Sequence, residues 1–298
     1  MHRTATHAAL LLLAATLLAT SARAADDLRQ RVEALIAESG AEVAVAYRSL
    51  DPEATPVDEL LIAPDEVFHA ASTMKIPVLI ELFRQAGAGD LSLDDPLAID
   101  NEFASIVDGS PYSLTAEEDS DQEIYQHVGA SLSLRELGER MITVSSNLAT
   151  NLLIERLDVE RIRAAVSALG ADGMHVLRGV EDILAYEAGQ SNTTTARALL
   201  VLLEKLARGE AVSPAADREM IAILERQELR DGIPSGLPAG TPIAHKTGNI
   251  TAIHHDAAIV RAPRPFVLVV LVRGIEDQER SAKLIADIAR AVYRASQG

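Results

Sequence analysis

Apolar positions in this chain change period along its length. Leu28, Val32, Leu35 and Ile36 recur at helical spacing and the stripe ends at Gly40, so the stretch predicts an amphipathic helix. Residues 41–50 (AEVAVAYRSL) then alternate like a strand, and Asp51-Pro52 turns the chain. Near the other end, Thr241–Gly248, Ala252–Arg261 and Pro265–Arg273 read as strands of an antiparallel meander. A second amphipathic helix, Gln278–Ser296, closes the chain with Leu284, Ile285, Ile288 and Val292 on one face. Everything between reads as helical. Leu134–Thr143, Leu148–Leu157, Val159–Leu169, Thr195–Arg208 and Pro214–Gln227 carry helical apolar spacing with Ser, Asp or Thr near their starts. The acidic stretch Thr115–Gln126 reads as a solvated loop, at most the rim of a cleft.

The economical architecture is therefore α+β and discontinuous. Residues 25–64 and 228–298 would combine into a lobe with an antiparallel sheet flanked by helices, and residues 65–227 would form an all-helical lobe. A cleft between such lobes is a usual place for a site.

Composition narrows the partners. Arg3, the apolar run Ala8–Ala19 and the Ser-Ala22-Arg-Ala24 that follows predict a secretory signal over residues 1–24, hence an exported protein, periplasmic in a host with an outer membrane. No later apolar run reaches the length of a membrane span. The formal net charge is −17, and loss of Arg3 and Arg23 with the leader would take it to −19. Such a surface repels nucleic acid and anionic lipid alike. The expected partner is a small molecule acting on a monomer. The chain contains no cysteine, which removes disulfides and thiol nucleophiles together.

One stretch carries chemistry. In His69-Ala-Ala-Ser72-Thr-Met-Lys75 a serine hydroxyl and a lysine amine lie three residues apart at the start of a helix, on one face and within hydrogen-bond reach. Serine needs a nearby base, and a desolvated lysine can be one. With 19 serines and 4 lysines, a chance Ser-x-x-Lys arises in roughly one chain in four of this composition, so the pair alone decides nothing. Two later motifs change its weight: Ser145-Ser146-Asn147 between two helical segments, and Lys246-Thr247-Gly248 on the first late strand.

In that order the three motifs resemble the signature of the penicillin-recognising serine hydrolases. The stretches VFHAASTMKIPVL, MITVSSNLATNLLI, NTTTA (Asn192–Ala196), IAHKTGN and HDAAIV narrow the resemblance to the class A β-lactamase group, over nearly the whole mature chain. It implies the β-lactamase/transpeptidase-like fold and a set of roles. Ser72 would be acylated, with Lys75 as base or relay. Ser145, polarised by Lys246, would pass a proton to the leaving nitrogen. Asn147 would bind the substrate amide, and Thr247 with Lys246 its carboxylate. Gly248 would leave room for the acyl group, and the backbone N–H groups of Ser72 and Asn249 would form the oxyanion hole.

The base for deacylation would be Glu181, in Glu181-Asp-Ile-Leu184-Ala185, with Glu187 the substitute if the loop threads differently. Here the sequence departs from the family. Ala185 replaces an asparagine, the loop is short, Ser146 replaces an aspartate, and the loop's usual arginine–aspartate tie would become Arg178 with neutral Asn192. His69 is expected to pack or bond backbone. His254-His255-Asp256 invites a metal reading, but successive strand residues face opposite ways, and neither metal nor cofactor is expected.

Three functions follow. The first is a class A β-lactamase-type hydrolase opening β-lactam amides through a Ser72 acyl-enzyme. The second is a D-alanyl peptidase or esterase that deacylates penicillins slowly. The third is a non-catalytic binding or sensor domain, which has no need of Ser72, Lys75, Ser145 and Lys246 together.

Overall fold

The structure is a computed structural model that describes residues 23–51 and 57–298. The predicted leader lies almost wholly outside the described residues. From the N-terminal side come α1 (residues 23–39), β1 (Glu42–Ser49), β2 (Glu59–Ile62) and β3 (Phe68–His69), then a 3-10 turn (Ala71–Met74) leading into α2 (Lys75–Ala88). Short strands β4 (Pro96–Ala98), β5 (Phe103–Ala104), β6 (Pro111–Tyr112) and β7 (Ser131–Ser133) precede α3 (Leu134–Thr143), α4 (Asn147–Leu157) and α5 (Val159–Ala168). After α6 (Ile183–Glu187) and β8 (Thr193–Thr194) follow α7 (Ala196–Arg208), α8 (Pro214–Leu224) and α9 (Ile233–Gly236). Strands β9 (Ile243–Ile250), β10 (Ile253–Val260) and β11 (Phe266–Arg273) and helix α10 (Gln278–Gln297) complete the chain.

The predicted starts are real caps. Ser133 closes a capping box with Glu136 on α3, and Ser146, Asp158, Thr195, Ser213 and Asp277 accept backbone N–H groups at the heads of α4, α5, α7, α8 and α10. Each cap satisfies a donor that the helix itself cannot.

Five strands form one antiparallel sheet in the order β2-β1-β11-β10-β9. Its register pairs Val45 with Val270 and Asp256 with Thr247. The outer face buries Val43, Val45, Leu268, Val270 and Val272 against Leu28 and Val32 of α1 and Ile285, Ile288 and Val292 of α10. The inner face buries Ala44, Ala46, Val267, Val269 and Leu271 in one core shared with the helices. Strand β11 is covered on both faces and reads as an unbroken apolar run for that reason. Each aliphatic side chain so buried is worth about 1.5–3 kcal/mol. The fold is α+β, and the helical elements share a core with the sheet's inner face. No described helix is long and apolar enough to cross a membrane.

Two details position the site. β3 pairs with β8, which ties the segment before Ser72 to the end of the 178–192 loop. The 115–126 stretch departs from expectation. Asp119 and Asp121 are buried, Asp121 is bonded by Arg140 of α3, and the segment docks against the head of α4.

Candidate active site

Ser72 sits in the 3-10 turn, and hydrogen bonds hold the backbone that leads into it. Ala70 N–H donates to Asn192 O at 2.8 Å, Ala71 N–H to His69 Nδ1 at 3.0 Å, and Thr73 Oγ1 to Ala70 O at 2.6 Å. Ala71 takes φ +44°, a left-handed conformation that such clamps can sustain. His255 secures the same segment from the sheet. Its Nδ1 accepts from Val272 N–H at 3.1 Å, so its Nε2 carries the proton and donates to His69 O at 2.9 Å. Complete burial pushes this imidazole down to about 4.

Behind the serine the Lys75 ammonium is fully buried, and its three donors are filled by Ser145 O at 2.7 Å, Asn147 Oδ1 at 2.8 Å and Ser145 Oγ at 3.2 Å. Among the described residues no hydrogen bond joins it to the Ser72 hydroxyl, contrary to the reach expected from the three-residue spacing. A buried ammonium needs acceptors, and the α3–α4 link supplies two while the first residue of α4 supplies the third. Burial lowers Lys75 to about 7, while Asp119 and Glu181 pull the other way. Near neutrality a fraction of the amine is thus free to take a proton.

Ser145 is reached from both sides. Lys246, buried on β9, donates to its Oγ at 3.0 Å and to Thr247 O at 3.0 Å. Burial, and then the charge of Lys75, holds Lys246 well below the ordinary lysine range. Ser145 has φ +62° and Glu181 has φ +63°, so two of the candidate catalytic residues lie in the left-handed region.

Asn147 opens α4 and bridges onward, donating from Nδ2 to Glu181 Oε1 at 3.1 Å. Burial raises the Glu181 carboxyl, Glu118 and Asp119 add to the rise, and Lys75 and Arg178 oppose it. A carboxylate so placed accepts a proton more readily than an exposed one. The loop carrying it is held by Asn151, which accepts from Val180 N–H at 2.7 Å and donates to Val180 O at 3.0 Å. A Cβ on Gly179 would lie 2.6 Å from the Asn151 Oδ1, so that position excludes a side chain.

The expected Arg178–Asn192 side-chain tie takes another form. The guanidinium donates to Gln190 O and Gly179 O, both at 2.8 Å, while Asn192 Oδ1 accepts from Leu177 and Arg178 N–H and its Nδ2 donates to Arg178 O. Backbone supplies the partners that an aspartate would have supplied. Glu187, the substitute base, is exposed at the end of α6 and lies outside the cleft lining, because the loop threads with Glu181 inward.

Together these residues bound a cleft of about 750 Å³ lined by Ser72, Ser145, Asn147, Glu181, Thr247 and Asn249, with Lys75 and Lys246 buried behind it. Gly248 faces elsewhere. A Cβ there would meet Thr73 Cγ2 at 3.1 Å and Ala70 O and Ala71 Cβ at 3.2 Å, so it is the 3-10 turn, not an acyl group, that requires glycine. The next residue, Asn249, lines the cleft together with Ser72. His254 and His255 part as expected. The former meets Ser281 of α10 at 2.9 Å, and Asp256 bonds His245 and the N–H of Ile233.

Sequence reasoning missed Asp119. Its carboxylate accepts from Asn147 N–H at 3.0 Å, Leu148 N–H at 2.9 Å and Tyr125 Oη at 3.1 Å. Aspartate ahead of an open helix head was the available signal, masked by a separation of 28 positions.

A serine facing a cleft, a second serine between two buried lysines and a carboxyl joined to them through an amide define a serine hydrolase of the class A type. The model of the Beta-lactamase enzyme family matches residues 27–296, and the chain belongs to that family. A β-lactamase of Bacillus licheniformis is 28% identical over 240 residues, covering 78% of this chain and 73% of that protein. The extended-spectrum β-lactamase PER-1 of Pseudomonas aeruginosa is 24% identical over 282 residues, covering 90% and 86%. The solved structure of PBP-A superposes with a TM-score of 0.76 at 28% identity, covering 90% of this chain and 95% of that one.

Proposed function

We propose that the protein opens β-lactam amides through an acyl-enzyme on Ser72. The observation that carries this reading is the continuous hydrogen-bonded chain Lys246–Ser145–Lys75–Asn147–Glu181 along one wall of the cleft that Ser72 lines. In acylation Lys75, or Glu181 through it, takes the Ser72 proton. The alkoxide attacks the lactam carbonyl, and the N–H groups of Ser72 and Asn249 meet the oxyanion. Ser145 passes a proton to the departing nitrogen, replenished from the lysines. In deacylation Glu181 draws a proton from water, whose oxygen attacks the ester carbonyl; the bond to Ser72 Oγ breaks and the proton passes back to that oxygen, which restores both Ser72 and the Glu181 carboxylate. Thr247, which lines the cleft, and Lys246 behind it would meet the substrate carboxylate.

A second reading rests on a specific feature. Among the described residues the one side-chain hydrogen bond to Glu181 comes from Asn147, since residue 185 is a buried alanine with nothing to donate. A glutamate held so sparely favours slow release of the acyl group, as in a D-alanyl peptidase or esterase. The likeness to PBP-A, a mutant of which is known as an acyl-enzyme complex with penicillin G, is compatible with this.

Steady turnover of a chromogenic cephalosporin by the mature protein separates the two. The first reading expects turnover that vanishes in Ser72→Ala and falls at least about 100-fold in Glu181→Gln. A stoichiometric burst followed by a stable adduct selects the second, and no reaction of Ser72 with any penicillin leaves a binding module or an unrelated ester substrate. On the same reading the enzyme works as an exported monomer after loss of residues 1–24.

A further inference from the structure

The acidic stretch before α3 does something that no solvated loop does. Asp119 lies 5% exposed at the cleft, and its two oxygens receive the first two N–H groups of α4, those of Asn147 and Leu148. Ser146 takes a third, from Ala149 at 3.3 Å. Two side chains from separate segments therefore close the head of an eleven-residue helix, where an anion is also favoured by the helix dipole. The next residue of the loop acts on the other side of the link, with Ser120 Oγ donating to Ser145 O at 3.3 Å. Tyr125 and the N–H of Asp121 hold the carboxylate in turn, and Asp121 fastens the loop to Arg140.

We propose that Asp119 is a positioning residue of the catalytic cleft: clamped on the head of α4, its carboxylate sets Ser145 and Asn147 against Lys75 and supplies the anion that Lys75 and Glu181 face. The consequence for activity rests on the reading of Ser72 as nucleophile; the consequence for Lys75 does not. Three charged groups bear on Lys75: Asp119 from the loop, Glu181 from the 178–192 loop and Lys246 from β9. An anion at 119 favours the ammonium of Lys75 and disfavours the carboxylate of Glu181, so it raises both. Removing that charge lowers both, and whichever group acts as base reaches its basic form at lower pH.

The test is a pH titration of ¹³Cε-lysine-labelled protein by NMR, simple to assign because the chain has four lysines. In Asp119→Asn the Lys75 midpoint falls by about half a unit or more relative to wild type. It stays in place in Asp121→Asn, which loosens the same loop without touching α4. In parallel, the acid limb of Ser72 labelling by a fluorescent penicillin moves to lower pH in Asp119→Asn only. An unmoved Lys75 midpoint, or an equal displacement in Asp121→Asn, overturns the proposal. Absence of labelling in wild type would sink the nucleophile reading while the titration still decides Asp119. Should Asp119→Asn not fold, Asp119→Glu keeps the charge but shifts it by a methylene. It is expected to hold the Lys75 midpoint while slowing labelling at least about tenfold, and labelling at the wild-type rate would overturn the positioning role.

Discussion

At the scale of single residues, the site depends on two lysines made unusual by burial. Lys75 is lowered to about 7, so its neutral amine is the minority form below that pH and the majority form above it. With Lys75 as base, the acylation rate constant, read by stopped-flow with a chromogenic cephalosporin, rises with pH through about 7 and then levels. Lys75→Arg, which stays charged at every accessible pH, loses at least about 100-fold, and a variant within tenfold of wild type would exclude Lys75 from proton transfer. Gly248 makes a steric prediction of a different kind. In Gly248→Ala the new methyl presses on Ala70, Ala71 and Thr73, costing about 1–3 kcal/mol by thermal unfolding and displacing Ser72; unchanged stability would show that the 3-10 turn yields freely.

At the scale of elements, the helices and strands that build the framework were legible because periodicity and caps agree. Ser133, Asp158 and Asp277 each sit where an apolar stripe begins, and each does cap a helix. The connecting segments were not legible, since their conformation comes from distant partners. The five-residue α6 owes its place to Asp182, which caps it and also accepts from Ser105 Oγ and Ile106 N–H, and no local pattern announces those bonds. Asp119 is the same case: acidic composition around it reads as solvated, while a helix head 28 residues away buries it. The loop that carries Glu181 depends likewise on Asn151. In Asn151→Leu the N–H of Val180 loses its partner and its C=O keeps only the Tyr112 hydroxyl, at about 1–3 kcal/mol for the N–H left unpaired. Residues 178–192 should then exchange amide hydrogens faster, and deacylation should slow at least about tenfold with acylation changed much less. Equal loss in both steps would mean that Asn151 supports the whole cleft and not this loop alone.

At the scale of the whole molecule, the sheet, the shared core and the cleft are joined through His255, a buried imidazole that bonds β11 to the segment before Ser72. Its value of about 4 lies below the ordinary 6.5, so the unfolded chain binds the proton more readily than the folded one. Its contribution is present above about 6.5 and is lost as pH falls toward 4, amounting to about 3 kcal/mol by then. Urea unfolding across that range should show the loss, and His255→Gln, which cannot take up the proton, should flatten it; an identical slope in the variant would place the acid sensitivity elsewhere. The account as a whole turns on one covalent bond. The most direct measurement is time-resolved intact-protein and peptide mass spectrometry after mixing with benzylpenicillin. The account predicts a penicilloyl adduct on the peptide containing Ser72 that forms and then disappears in wild type, persists in Glu181→Gln and never forms in Ser72→Ala. Hydrolysis of the penicillin with no adduct at Ser72, or with Ser72→Ala fully active, would contradict it.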